Sequence, residues 1–294
     1  MKLIQLFIGC ILLQLLPSSA QAKNQQILLI KSGNYYFVKA QFKEVKIPVV
    51  FMFDTGTNAF GITQELANLL GTEDSDTIEF DMGDVHFKTP DFRIWTYLDK
   101  NDFIKSIIRE EVPDFIYGGI IGNYPLLSEY YLIIDFNSRK LILEDPLVVD
   151  NQEVLQDSAL YCTDFKWVNH MIFVQAIVND TLIGYFHLDT GIPTHHFITL
   201  NAAKNAGCKL KYDELEKNHL TGIQCKSFKM AGYEWGVSNF LGQNMDYNVN
   251  PFGDYELDNI IGSLCNDNLN GAIIHLDFVN QKLILDLSKL SANP

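Results

Sequence analysis

Two distant stretches of this chain repeat each other, and the repeat limits the folds open to it more than any other feature. Phe51-Met52-Phe53-Asp54-Thr55-Gly56 is echoed by Tyr185-Phe186-His187-Leu188-Asp189-Thr190-Gly191. Both copies continue through a short loop to an Ile-Thr pair, Ile62-Thr63 and Ile198-Thr199. A threonine hydroxyl there can accept from an exposed N–H of a first helical turn, so each pair marks a helix N-cap. The segments that follow, Gln64 to Leu70 and Leu200 to Ala206, are composed of helix formers. Each stops at a glycine, Gly71 or Gly207, suited to the positive φ of a C′ position.

The correspondence extends in both directions. An asparagine, Asn34 or Asn169, stands twenty residues before each aspartate and precedes runs rich in aromatic and β-branched residues, which suit strands. Downstream, Gly119-Ile120-Ile121-Gly122 parallels Asn259-Ile260-Ile261-Gly262. Each half closes on a strand pair: Ile133-Ile134-Asp135-Phe136 with Lys140-Leu141-Ile142-Leu143, and Ile274-His275-Leu276-Asp277-Phe278 with Lys282-Leu283-Ile284-Leu285. Polar turn residues between the two strands of each pair indicate hairpins. The predicted architecture is mainly β, bilobal, with two barrel-like lobes related by a pseudo-two-fold axis and carrying only short helices. The lobes are expected over residues 23–149 and 150–294, joined by the acidic, proline-containing stretch from Glu144 to Ser158.

Residues 1–22 are expected to be a signal peptide. Lys2 precedes the apolar run Leu3 to Leu16, and Ala20-Gln21-Ala22 is an A-x-A cleavage site. The run is short for a membrane anchor. Gly9-Cys10 loosely resembles a lipoprotein box, but cleavage there would leave almost no apolar segment. The expectation is an exported protein, periplasmic or extracellular, with no membrane span after the leader is removed. The remaining roughly 270 residues suffice for two lobes of about 130 each. A formal charge of −14 argues against nucleic acid as a partner. The cysteines beyond the leader, Cys162, Cys208, Cys225 and Cys265, permit two disulfides in any of three connectivities, or buried free thiols. Without a Cys-x-x-Cys pair, a structural zinc site is not expected.

A single Asp-Thr-Gly is no more than a turn, with Asp accepting backbone bonds and Gly supplying a positive φ. Two in matching contexts carry chemistry. Val49 to Phe53 and Leu182 to Leu188 are mostly apolar, so Asp54 and Asp189 each end a strand through the core, where a charge needs donors or a partner. Brought together, two carboxylates cannot both ionise comfortably; one pKa falls and the other rises. The ionised member can take a proton from a water attacking a peptide carbonyl, while the protonated member hydrogen-bonds the carbonyl oxygen. No metal, cofactor or covalent intermediate is needed.

The paired Asp-Thr-Gly loops, the Ile-Thr pairs, short helices and Ile-Ile-Gly segments resemble the aspartic peptidases of the pepsin and retropepsin group, the bacterial retropepsin-like branch in particular. The resemblance implies a bilobal acid-protease fold, catalytic Asp54 and Asp189, and an extended peptide substrate bound in a cleft as an added strand. It also implies that Thr55 and Thr190 anchor the loops to each other and that Gly56 and Gly191 let backbone N–H groups approach the carboxylates. Gly122 and Gly262 would support the loops from beneath, and one chain with both aspartates suffices as a monomer. Thr57 matches the hydroxyl residue that pepsin-like enzymes place after Asp-Thr-Gly; Ile192 does not, which removes one donor from the second carboxylate. Fewer donors should raise the pair's pKa values and move the optimum to less acid pH. Too few residues separate Ala22 from Asp54 for a long prosegment.

Other features weigh less. Asp81-Met82-Gly83-Asp84 and Met230-Ala231-Gly232-Tyr233 are candidate turns over a cleft. His195-His196 makes a poor chelate, since neighbours on a strand point to opposite faces. Asn179-Asp180-Thr181 is a glycosylation sequon in a host that glycosylates exported proteins. The rival to an endopeptidase is a non-catalytic relative that holds extended peptides in the cell envelope. A third reading is an enzyme confined to cell-envelope peptides. Retention of both aspartates favours hydrolysis.

Overall fold

The computed structural model describes residues 25–74, 76–146, 159–192, 196–211, 220–236, 238–243, 257–265, 269 and 271–288. The leader, most of the connection between halves, and His195 lie outside the described residues. Among the described residues, no helix is long and apolar enough to cross a membrane.

The first half runs β1 (Gln25–Ser32), β2 (Tyr35–Ala40), β3 (Val49–Phe53), β4 (Phe60–Ile62), α1 (Gln64–Leu70), β5 (Ile78–Met82), β6 (Val85–Thr89) and β7 (Arg93–Ile94). A 3-10 turn over Thr96–Lys100 leads into α2 (Asp102–Glu111), then β8 (Ile116–Ile121), β9 (Tyr131–Asp135) and β10 (Lys140–Glu144). The second half starts likewise with β11 (Leu160–Val168), β12 (Met171–Val178), β13 (Leu182–Leu188), β14 (His196–Thr199) and α3 (Leu200–Asn205). It continues through β15 (Lys209–Lys211), β16 (Leu220–Cys225), β17 (Phe228–Met230), β18 (Tyr233–Glu234) and β19 (Ser238–Gln243) to β20 (Ile260–Leu264), β21 (Ile273–Asp277) and β22 (Lys282–Asp286). Mainly β and bilobal, this is the architecture that the repeat predicts.

Hydrogen-bond register makes the repeat explicit. β3 lies parallel to β8, and β13 parallel to β20; β4 and β14 cross back antiparallel to the same partners. Phe51 pairs with Gly119 and Phe53 with Ile121, while Phe186 pairs with Gly262 and Leu188 with Leu264. Gly262 is therefore the counterpart of Gly119, and Cys265 stands where the first half has Gly122. This corrects the sequence alignment of the two Ile-Ile-Gly segments. The reason is steric. A Cβ at Gly119 would lie 2.2 Å from the Gly61 carbonyl, and one at Gly262 would lie 2.2 Å from the Phe197 carbonyl.

The threonine caps form as predicted: Thr63 accepts from Leu66 N–H and Thr199 from Ala202 N–H, both at 3.2 Å. Gly71 and Gly207 take the left-handed conformation. One element was not predicted. It is α2, with Asn101 as its cap and Ile104 and Ile108 buried one turn apart. They pack with Phe37, Val50, Tyr117 and Ile120 of β2, β3 and β8. The opposite face of these strands enters the main core, where Phe42, Phe51, Phe60, Phe80 and Phe87 contact one another with centroids 5.1–6.3 Å apart. Burying each such ring contributes about 1.5–3 kcal/mol.

The halves join in a six-stranded floor, β1-β10-β9-β21-β22-β11, with β9 and β21 antiparallel at its centre. Both turns considered as cleft covers lie instead against its outer strands. A Cβ at Gly83 would stand 2.6 Å from the Gln26 carbonyl on β1, and one at Gly232 would stand 3.9 Å from Tyr161 on β11. Among the described residues, the β15–β16 hairpin has no counterpart in the first half, and the disulfide Cys208–Cys225 ties its base; Cys162 and Cys265 lie outside that disulfide. Beside it, Asn179 of the sequon is committed to the fold: its amide donates to Ala206 O and its carbonyl accepts from Lys226 N–H.

Candidate active site

β3 and β13, each parallel to its own partner, β8 or β20, meet at their ends through the loops that follow them. The Asp54 N–H donates to Ile121 O at 3.0 Å and the Asp189 N–H donates to Leu264 O at 2.9 Å, so each loop leaves its strand in the same way. The Thr55 N–H donates to Thr190 Oγ1 at 2.8 Å, and the Thr190 N–H donates to Thr55 Oγ1 at 3.1 Å. Each hydroxyl passes its own proton across the junction, Thr55 to Leu188 O and Thr190 to Phe53 O. All four groups are buried, so these bonds exchange little with water.

The lock sets the glycines against the opposite acids. A Cβ at Gly56 would lie 2.3 Å from Asp189 Cγ, and one at Gly191 would lie 2.4 Å from Asp54 Cγ. Only a residue without a side chain lets the loops approach this closely. The Gly191 N–H consequently serves both carboxylates, at 3.2 Å from Asp54 Oδ1 and 3.0 Å from Asp189 Oδ1.

The two acids are not equivalent. Asp54 also accepts from the Gly56 N–H at 2.8 Å and the Thr57 hydroxyl at 2.6 Å. Ile192 offers Asp189 only its backbone N–H. Burial, then the charge of Asp54, then a hydrogen bond to Asp54 push the Asp189 carboxyl well above the usual carboxylate range, and the Gly191 and Ile192 N–H groups only partly offset them. Donors gather at Asp54, while Asp189 is the carboxyl whose protonated form its surroundings favour.

The sequence-predicted residues meet as one cluster, apart from the exchange of Gly262 for Cys265. Gly122 does brace the first loop: a Cβ there would fall 2.3 Å from the Thr57 carbonyl. Four neighbours escaped the sequence reading. Buried Asn123 donates its amide to Thr55 O at 2.7 Å; the pattern Gly-Ile-Ile-Gly-Asn against Gly-Ser-Leu-Cys-Asn, 119–123 and 262–266, held that signal. Tyr97 and Tyr117 lie near enough that the charge of Asp54, after burial, raises their phenols. His187 lies beside Asp189. His196 Nδ1 accepts from the buried Cys265 N–H at 2.9 Å.

No protein-family model matches the sequence, and no curated protein matches it significantly. Among solved structures, the aspartic proteinase from Irpex lacteus superposes with a TM-score of 0.53 at 10% identity, over 92% of this chain and 99% of that one. At that identity the likeness is one of fold. Basic 7S globulin from soybean gives a TM-score of 0.48 at 10% identity over 92% of this chain and 96% of its own. A retropepsin-like aspartic protease from Rickettsia conorii gives 0.30 at 22% identity over 43% of this chain and 89% of its own.

Proposed function

We propose that the protein is an aspartic endopeptidase in which Asp54 and Asp189 activate a water between them. The observation that carries this reading is the single Gly191 N–H shared by both carboxylates, at 3.2 and 3.0 Å. Solvent-facing turn aspartates would have no reason to converge on one donor. Asp54, with its three donors, acts as the base that takes a proton from the attacking water. Asp189 holds its proton for the substrate carbonyl oxygen, and the proton taken by Asp54 later passes to the leaving amine. An extended peptide or protein segment is the substrate; exposed Tyr97, stacked on Trp95 with centroids 5.9 Å apart and close enough to Asp54 to feel its charge, supports contact with the substrate's side chains. The polypeptide works as a monomer without metal or cofactor, exported once residues 1–22 are removed. Its nearest mechanistic kin would be the retropepsin-like branch.

The test is cleavage of a diverse peptide library between about pH 3 and 8 by wild type and Asp54→Asn. Loss of a wild-type cleavage pattern by at least ~1,000-fold in the variant is expected. Equal cleavage by both proteins, or none by either, defeats the proposal.

A further inference from the structure

His187 is an ionisable side chain at the pair that the proposed chemistry leaves unused. It lies two residues before Asp189 on β13, where the first half has Met52 on β3. Its Nδ1 is 4.0 Å from Asp189 Oδ2, with the ring 12% and the carboxyl 17% exposed. Its other nitrogen, Nε2, is buried with no hydrogen-bond partner. Phe173 of β12 stacks on the ring with centroids 5.2 Å apart. Met171, Ile260, Tyr185 and Leu257 surround Phe173, and Ser263 of β20 is the register partner of His187. Among the described residues, the ionisable groups around the ring are Asp189, Asp54 beyond it, and Tyr185 on the same face of β13; β12 and β20 contribute none.

We infer that His187 is a positioning residue for the shared proton: protonation of its ring withdraws that proton from Asp189 and sets the acid limit of the reaction. This rests on the peptidase reading. While the ring is neutral, Asp189 faces the negative charge of Asp54 and no cation, so it keeps its proton. Burial pushes the ring's pKa down to about 4, which maintains that state through mildly acid pH. Once protonated, the ring is a cation within ion-pair reach of Asp189 Oδ2 in poorly solvated surroundings, and the carboxylate form of Asp189 is favoured. The displaced proton goes to Asp54, so the change takes up one proton overall and follows pH. Asp54 then gives up the anionic form favoured by the Gly56 and Gly191 N–H groups and the Thr57 hydroxyl, and with it the role of base. Position 189 no longer presents an acid to the substrate carbonyl. Met52 cannot act in this way, so the effect belongs to one half alone.

The experiment is the pH profile of kcat/KM for wild type, His187→Met and His187→Gln, with carboxyl NMR of Asp189 in the full chain. Methionine is the first half's own choice at this place, and glutamine keeps a polar group, so a folding failure of one variant leaves the other. The acid limb should move down by about one pH unit in the variants. In the wild type the Asp189 signal should inflect where the His187 ring titrates, and that inflection should vanish in the variants. An unmoved acid limb, or an Asp189 signal indifferent to the ring, overturns the inference. The NMR readout needs no turnover, so a protein without Asp54-dependent cleavage loses the peptidase reading while the coupling is still decided.

Discussion

Thr55 and Thr190 each donate a backbone N–H to the other's hydroxyl, at 2.8 and 3.1 Å, and neither residue is more than 1% exposed. Replacing either by valine keeps the shape but leaves the other's N–H buried without an acceptor, at about 1–3 kcal/mol. Since the four bonds form one network, the double variant should cost less than the two singles together. Urea unfolding of the three variants measures this, and strict additivity would contradict it.

Stability near Asp189 should depend on pH with a definite sign. Its folded-state pKa is raised above the ordinary 3.8, by burial first. Its contribution is therefore complete below the unfolded value and lost as pH rises through the folded one. Asp189→Asn carries no charge at any pH, so it should gain on the wild type as pH rises. Melting temperatures from about pH 3 to 8 give the comparison. A melting-temperature difference, variant minus wild type, that stays constant or falls with rising pH would refute the assignment.

Gly122 and Cys265 occupy matching places under different constraints. A Cβ at Gly122 meets the carbonyls of Thr57 and Ala59 at 2.3 and 2.9 Å, and backbone cannot swing aside as a side chain can. Gly122→Ala should displace the first loop, break the bond from Thr57 to Asp54, and cost about 1–3 kcal/mol. Cys265→Ala removes only a buried thiol, for about 1 kcal/mol. Thermal denaturation of the two variants tests the ranking.

The cysteines should divide into three behaviours. Cys208 and Cys225, separated by 17 residues, are joined, and their bond should contribute about 3 kcal/mol by limiting the unfolded chain. Half-buried Cys162 should react with a thiol reagent in the native protein, while Cys265, fully buried, should wait for unfolding. Mass spectrometry of time-resolved alkylation separates them.

Local pattern carried the Asp-Thr-Gly loops, the capped helices and the closing hairpins, because each is specified by residues adjacent in sequence and then specified again in the other half. It failed where distant contacts decide. The placing of Gly262 opposite Gly119 depends on the approach of the Phe197 and Gly61 carbonyls, which no local motif encodes. α2 had its own signals, Asn101 followed by Ile104 and Ile108, yet the strand-rich context masked them. His187 looked like one more residue of an apolar strand. Its significance comes from the ring of Phe173 and the loss of solvent, both supplied by the neighbouring strand.

The centre of the floor has a further consequence. Tyr131 pairs with Asp277 and Asp135 with Ile273, with Ile133 facing His275 between them, so exchanging the halves maps the seam onto itself. Such an edge is self-complementary, as in an isologous dimer, and two identical halves could meet along it as readily as two different ones. Covalent linkage removes that ambiguity: every molecule assembles one half of each kind. Only then can a difference between the sides, such as His187 against Met52 two residues before each acid, be carried by one half without being imposed on the other.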